Sequence, residues 1–253
     1  MKNIIRTILI AILLIFLGCA KLTQNQKKET LLIASQNIHD FSKVDRTLKI
    51  YSDSSFVFID SLKETNHTKI ETFEGMTQIK NDTIKFFPFR LSYNGAETAV
   101  LKNGFIEFCD GEYPDRIKID KTSLKVKNQI NFQNFKDYAV FTFYNKFNSS
   151  DNQDLINYDL NTEELTKIDN ILKKTFNNKR LRKYSEYIKQ IESVKDKTKQ
   201  NLIYIHCFCK ESYILESYKY FQISMNDGGN CNIFIILNLT TQKIELFKIA
   251  GSA

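Results

Sequence analysis

The sequence predicts an α+β protein: an N-terminal antiparallel β meander followed by a smaller ααββββ module, its helices packed on an antiparallel sheet. Three observations predict it. Apolar and polar residues alternate with period two in short runs from Thr47 to Phe143. Two stretches between Asn161 and Val194 repeat their apolar residues at helical spacing instead. Four strand-like runs then follow between Leu202 and Ile249. With 42% hydrophobic and 13% aromatic residues, the chain has the material for a packed core. The net charge of +7 is scattered along the chain, which gives no footprint for nucleic acid.

The first element is an export signal over residues 1–18. Lys2 and Arg6 make a positive start, and Ile8 to Leu17 is an unbroken run of ten apolar residues. That is half of the roughly 20 that a helix needs to cross a bilayer. Gly18 then precedes Cys19. Phe16-Leu17-Gly18-Cys19 resembles a bacterial lipobox, with its Gly-Cys core intact and Phe16 and Leu17 in place of the usual Leu and small residue. The resemblance implies a diacylglyceryl group on Cys19, which becomes the first residue of a membrane-anchored chain in the cell envelope. Ala20 is not the Asp that retains such proteins in the inner membrane of enteric bacteria, so that rule favours the outer membrane. Residues 19–44 read as a lipidated tether with Lys21, Lys27 and Lys28, then an N-terminal extension. Within it, Leu31-Leu32-Ile33-Ala34 fits either a first strand or a pinned extension.

Residues 45–147 form the predicted β-rich domain. Leu48 and Ile50 alternate with polar residues, and Asp53-Ser54-Ser55 makes a turn. Phe56, Phe58 and Asp60 then share one face, with Val57 and Ile59 on the other. The alternation continues through 69–73, 77–79 and 83–87, with Asn81-Asp82 as a tight turn. The run from Leu48 to Phe87 resembles the strand–turn repeats of small lipocalin-like sheets in bacterial lipoproteins, which implies an antiparallel sheet. Further strands are predicted at 99–101, 105–109, 116–119, 124–126 and 138–143. The polar stretch 145–154 marks the boundary.

Residues 148–253 form the predicted α+β domain. Asn161 with Glu164 three places on matches a capping box, and Leu165, Ile168, Ile171, Leu172 and Phe176 form one apolar helix face. A second helix is predicted over 183–194, with Tyr184, Tyr187, Ile188, Ile191 and Val194 on one face. Strands follow at 202–209, 220–225, 232–239 and 244–249, the middle two joined by Asp227-Gly228-Gly229-Asn230.

Five cysteines occur. Beyond Cys19, Cys207 and Cys209 share one strand face with Ile203 and Ile205, and Cys231 shares its own with Ile233 and Ile235. Aliphatic company places all three toward the helix-covered core. Neighbouring strands lie about 4.8 Å apart, so Cys231 can bridge to Cys207 or to Cys209. The remaining cysteine and Cys109 are expected to be buried thiols. His206 points away from both strand cysteines, which argues against a zinc site, and no metal or cofactor is predicted. Ile205-His206-Cys207-Phe208-Cys209, Asp227-Gly228-Gly229-Asn230-Cys231 and the closing Ala250-Gly251-Ser252-Ala253 together resemble the C-terminal module of Bacteroidota lipoproteins, with Ala250 where Asn is usual. That resemblance implies a fold and no mechanism. Asp60-Ser61-Leu62 and Asp82-Thr83-Ile84 resemble the Asp-Ser/Thr-apolar sequon of Bacteroidota O-glycosylation, which makes Ser61 and Thr83 candidate glycan sites.

No Gly-x-Ser-x-Gly, His-Glu-x-x-His, Walker or Gly-x-Gly-x-x-Gly motif is present, and there are only three histidines, His39, His67 and His206. These readings predict a non-catalytic binding or structural module at the envelope. Its partners would be the membrane, through the lipid, and an envelope protein or small-molecule ligand, with no nucleic acid. An envelope enzyme or an inhibitor or immunity-type protein is the alternative. An enzyme would show a deep pocket where polar groups with displaced pKa values converge.

Overall fold

The period-two stretches become eight antiparallel strands in the computed structural model, which describes residues 28–39, 43–63, 67–87, 95–109, 111, 115–127, 129–143, 154–177, 181–210 and 217–251. They are β1 (Thr30–His39), β2 (Lys43–Tyr51), β3 (Ser55–Lys63), β4 (Thr68–Lys80), β5 (Thr83–Phe87), β6 (Thr98–Lys102), β7 (Phe105–Phe108) and β8 (Asp115–Thr122). Each pairs with the next. β8 then returns to β1, with Leu32 opposite Thr122 and Ser35 opposite Lys118, so the meander closes into a barrel without an exposed edge. The stretch Leu31–Ala34 is therefore part of the strand that closes the barrel. The run 124–126, predicted as a strand, lies outside the barrel ladder; Lys127 alone makes a bridge, to Lys102.

Eight strands leave an interior that side chains can fill. Leu48, Ile50, Phe56, Phe58, Ile84, Phe86, Ile106, Phe108 and Ile117 fill it. The Phe56 and Phe86 rings meet edge to face at 5.1 Å. β4 runs through Gly75, where a Cβ would lie 2.2 Å from the Phe87 carbonyl oxygen and 2.8 Å from the Phe56 ring, so only glycine fits. The β4–β5 turn places Asn81 at φ 58°, a left-handed position that Asn tolerates.

One part of the interior is polar. Arg46 donates to Gln36 Oε1 at 2.9 Å, Asp60 Oδ1 at 3.2 Å and Asp115 Oδ2 at 3.3 Å. Alternation alone carries Asp60 inward behind Phe56 and Phe58. A buried carboxylate is tolerated only with a partner, and Arg46 is placed to serve two.

The second sheet contains β9 (Tyr138–Phe141), β10 (Ile156–Asn157), β11 (Tyr187–Lys195), β12 (Asn201–Cys209), β13 (Gly229–Asn238) and β14 (Lys243–Ala250). Strands β10 to β14 pair in order, and β9 lies parallel to β11. The sequence assigns the run 138–143 to the β-rich domain; its strand belongs to this sheet instead. The helix α1 (Thr162–Asn177) is capped reciprocally: Asn161 Oδ1 accepts the Glu164 N–H at 2.9 Å, and Glu164 Oε2 accepts the Asn161 N–H at 3.0 Å. Leu165, Ile168, Leu172 and Phe176 are buried against Ile191, Ile203, Ile205, Ile233 and Ile235.

Two expectations are corrected. The predicted second helix, 183–194, is mostly strand β11, so among the described residues one α-helix and not two packs on the sheet. Its apolar residues fall at helical spacing because β11 is covered on both faces: Tyr187 and Ile191 face α1, while Ile188 packs with Phe208 and Tyr218 on the other side. A strand buried on both faces loses the period-two signature. The β-branched Ile188, Ile191 and Val194 fit the pleated conformation better than a helix. The second correction concerns 220–225, predicted as a strand. Only Phe221 makes a bridge, to Asp115, and Ile223 and Met225 pack across the sheet. Gln190 stands in for the missing ladder. Its Nε2 donates to the Tyr218 and Phe221 carbonyls at 2.8 Å, and its Oε1 accepts the Ile223 N–H at 2.8 Å. The Asp227–Asn230 turn consequently leads into β13 without joining two strands, and β13 pairs directly with β12.

Candidate functional site

The barrel and the sheet meet along β6–β7–β8, and the contact is built from charged residues. Arg116, outward-facing on β8, is almost fully buried there. Its guanidinium lies 4.2 Å from the Phe105 ring centre and 4.0 Å from that of Phe141. It donates from Nη1 to the Val140 carbonyl at 2.7 Å and from Nε to the Lys219 carbonyl, and it sits 3.7 Å from Glu107 Oε2. Glu107 Oε1 accepts the Thr142 N–H at 2.9 Å. Nearby, Lys102 donates to Thr142 Oγ1 at 3.0 Å and to Asp159, and Lys127 pairs with the other Asp159 oxygen at 2.5 Å. Burial opposes the Asp159 charge, but hydrogen bonds from the two lysines hold its carboxyl well below the usual range. Asn103 completes the seam, its Oδ1 accepting the Gln129 and Ile130 N–H groups at 3.0 and 3.3 Å.

Beside this seam is a cavity of about 420 Å³. Its apolar wall comes from Phe105 on β7, Ile119 on β8, and Phe132, Phe135 and Tyr138 on the approach to β9. The sequence holds the two phenylalanines in place locally. Asn131 Oδ1 accepts the Gln133 N–H at 3.0 Å and caps the single 3-10 turn 132–134, and Phe135 then meets Tyr138 edge to face at 5.7 Å. The charged lining is Arg116, Lys118, Lys136 and Lys219, with no carboxylate among the lining residues.

The groups with displaced pKa values lie mostly elsewhere. Under α1, burial depresses the Lys189 amine to about 8, with its Nζ 3.9 Å from the Tyr184 ring centre. Burial also pushes the neighbouring Cys207 thiol up to about 12, a value at which it is inert as a nucleophile. The Tyr138 and Tyr184 hydroxyls both donate to Asp169 Oδ1 at 2.7 Å, and burial pushes both phenols up. On the other sheet face a depression of about 90 Å³ is lined by Glu192, Tyr204, His206 and Gln222. Burial raises the Glu192 carboxyl to about 7 there and lowers His206. In the barrel, burial raises Asp115 to about 7 against the pull of Arg46. Tyr138 alone belongs both to this set and to the lining of the 420 Å³ cavity.

Asp115 and Glu192 give stability a defined pH dependence. Each holds its proton in the native state to about pH 7, whereas in the unfolded chain it would lose it near 4. The native state therefore binds more protons between those values, and this stabilisation is lost as pH rises through 7. Asp159 and Asp169, both held below the usual range, act in the opposite sense below about pH 4, and His206, lowered by burial, opposes below its ordinary value of 6.5, one group against two raised carboxyls. The urea midpoint should fall from pH 5 to pH 7.5, and Asp115→Asn with Glu192→Gln should flatten that slope. An unchanged slope in the double variant would show that neither carboxyl sets it.

Of the residues singled out by the sequence, Cys19 lies outside the described residues. Cys231 is bonded to Cys209, one step past the last β12–β13 pair, Phe208 opposite Asn232, with Cα atoms 4.7 Å apart. That separation matches a non-hydrogen-bonded antiparallel pair, where side chains come closest. Cys207 is a buried thiol; Cys109 is half-buried and donates to the Thr98 carbonyl at 3.5 Å. With two of three strand cysteines in the disulfide, three thiolates are not available to a metal, and among the described residues no cluster of three His, Cys, Asp or Glu side chains has metal-binding geometry. Ser61 is half-buried on β3, beside an Asp60 turned toward Arg46. Thr83 opens β5 and donates to Asp82 Oδ1 at 3.3 Å. None of these residues lines the 420 Å³ cavity. The cavity residues read in the sequence as ordinary strand and loop positions; the one local signal was Phe132-Gln133-Asn134-Phe135, aromatic residues in a stretch without alternation. Among the described residues no helix is long and apolar enough to cross a membrane. No family model matches the chain, and comparison with curated proteins and with solved structures finds no match.

Proposed function

We propose that the chain is a cell-envelope lipoprotein, anchored through lipid on Cys19 and favouring the outer membrane, that binds a ligand without transforming it. The anchor rests on Lys2, Arg6, the apolar run 8–17 and the Gly18-Cys19 pair. The fold reading refines with it: a lipocalin-like barrel whose interior is filled by side chains, joined to an α+β module with one α-helix among its described residues. The observation that carries the binding reading is a separation in space. The 420 Å³ cavity is lined by aromatic, aliphatic and cationic groups, while Asp115, Glu192, Lys189 and Cys207, the displaced carboxyl, amine and thiol groups, lie outside its lining. A catalytic site brings such groups and the cavity together.

Cys19→Ala tests the anchor. Several acyl chains on one residue hold a protein at a membrane far better than one chain does. The variant should leave the membrane fraction or accumulate unprocessed; fractionation with membranes at mature size would contradict the anchor. Intact-mass measurement of the native protein reads both proposed modifications at once, lipid at Cys19 and sugar at Ser61 or Thr83.

A further inference from the structure

We infer that the cavity between barrel and sheet holds an amphiphilic anion, a small molecule with one carboxylate or phosphate group on an apolar body. This rests on the binding reading above and adds the ligand's chemistry to it. The size suits a small molecule: about 420 Å³ falls within the range of roughly 300–1,000 Å³ typical of such sites. The apolar half of the argument is the wall of Phe105, Ile119, Phe132, Phe135 and Tyr138, which offers ring faces and edges and little to satisfy a polar body.

The charged half is one-sided. Arg116 is committed to the seam, where two rings, two carbonyls and Glu107 engage its guanidinium. Lys118 and Lys136 differ. Both are exposed at the cavity, and among the described residues neither ammonium has a hydrogen bond or ion pair. Lys219 adds a third ammonium, near the Tyr218 ring. Glu107 is engaged by Arg116, Asp159 by Lys102 and Lys127, and Asp137, next to Lys136 in sequence, by Lys210. The cavity thus joins an apolar wall to two exposed ammonium groups, Lys118 and Lys136, with no carboxylate in the lining. It would disfavour a cation, give a neutral sugar few partners, and suit an anion with a hydrophobic tail or ring.

The test uses residues 19–253 with Cys19→Ser, which removes the thiol that would carry the lipid. Dodecanoate, dodecyl phosphate and dodecanol are titrated by calorimetry below their aggregation limits. At least one anion should bind roughly tenfold or more tighter than the alcohol, the factor expected of one charge-assisted contact. The tighter anion identifies the headgroup. Lys118→Glu with Lys136→Glu should abolish that preference at an unchanged melting temperature, since both residues are exposed. Lys80→Glu, on β4 and opposite β8 in the barrel order, should leave it intact. Equal affinity for alcohol and anions, or a preference that survives the double reversal, would overturn the inference while leaving the binding reading standing. Binding of none of the three would overturn both.

Discussion

Arg116→Ala is expected to cost about 3–5 kcal/mol of stability, the range for removing one member of a buried charge pair. The Arg116 and Glu107 side chains are each only 3% exposed, so the loss would take a cation from beside a carboxylate in a dry environment, where Glu107 Oε1 also accepts the Thr142 N–H. The Val140 and Lys219 carbonyls would lose the same donor, and the Phe105 and Phe141 rings would lose the cation between them. Arg116→Lys should recover little, because one ammonium cannot reproduce a planar fork stacked between rings. Replacing both partners, Arg116→Met with Glu107→Gln, should cost less than Arg116→Ala alone, because no uncompensated charge is left behind. Urea unfolding at constant slope measures all three. A loss below about 1 kcal/mol for Arg116→Ala, the level of an exposed pair, would show that the seam is not buried in solution.

Cys231→Ser is expected to lower stability by about 2–4 kcal/mol, and only under oxidising conditions. The disulfide joins residues 22 apart in sequence, and closing a loop of that size in the unfolded chain is worth roughly 3 kcal/mol in the loop-entropy model. The folded state loses little in the exchange, since the adjoining β12–β13 pairing up to Phe208 and Asn232 holds the two segments together without the bond. Cys209→Ser should match Cys231→Ser, and dithiothreitol should bring the parent chain down to both. Cys207→Ser should retain the gap between oxidised and reduced protein, because its thiol is outside the bond. An oxidised Cys231→Ser as stable as the parent would contradict the pairing.

Local order was legible in the sequence where it depends on neighbours in sequence. The Asn161–Glu164 capping box, the apolar stripe of α1, the Asn81 turn and the inward face Phe56-Phe58-Asp60 all follow from short-range rules. Features that depend on distant partners were not legible. The apolar run Leu31–Ala34 says that a strand is possible there, but not that β8 will close on it. Tyr187–Lys195 carries apolar residues on both faces because another segment covers each, and that double coverage imitates a helix. Arg116 alternates with Ile117 like any barrel-surface cation, and only the second sheet makes it a buried one. Glu107, between Ile106 and Phe108, was the available hint: a carboxylate in a short apolar strand implies a cation brought to it from elsewhere. The cavity is assembled from the β6–β7 turn, β7, β8, the 132–138 approach and Lys219, five pieces with no common motif.

Mapping the bound probe shows whether the proposed anion site lies at the barrel–sheet junction. In a ¹H–¹⁵N spectrum of residues 19–253 carrying Cys19→Ser, titration with the tighter anion should shift the amides of Gly104, Phe105, Lys118 and the 132–138 segment first. Shifts clustered instead around Glu192, Tyr204 and His206, or within the barrel interior, would contradict it.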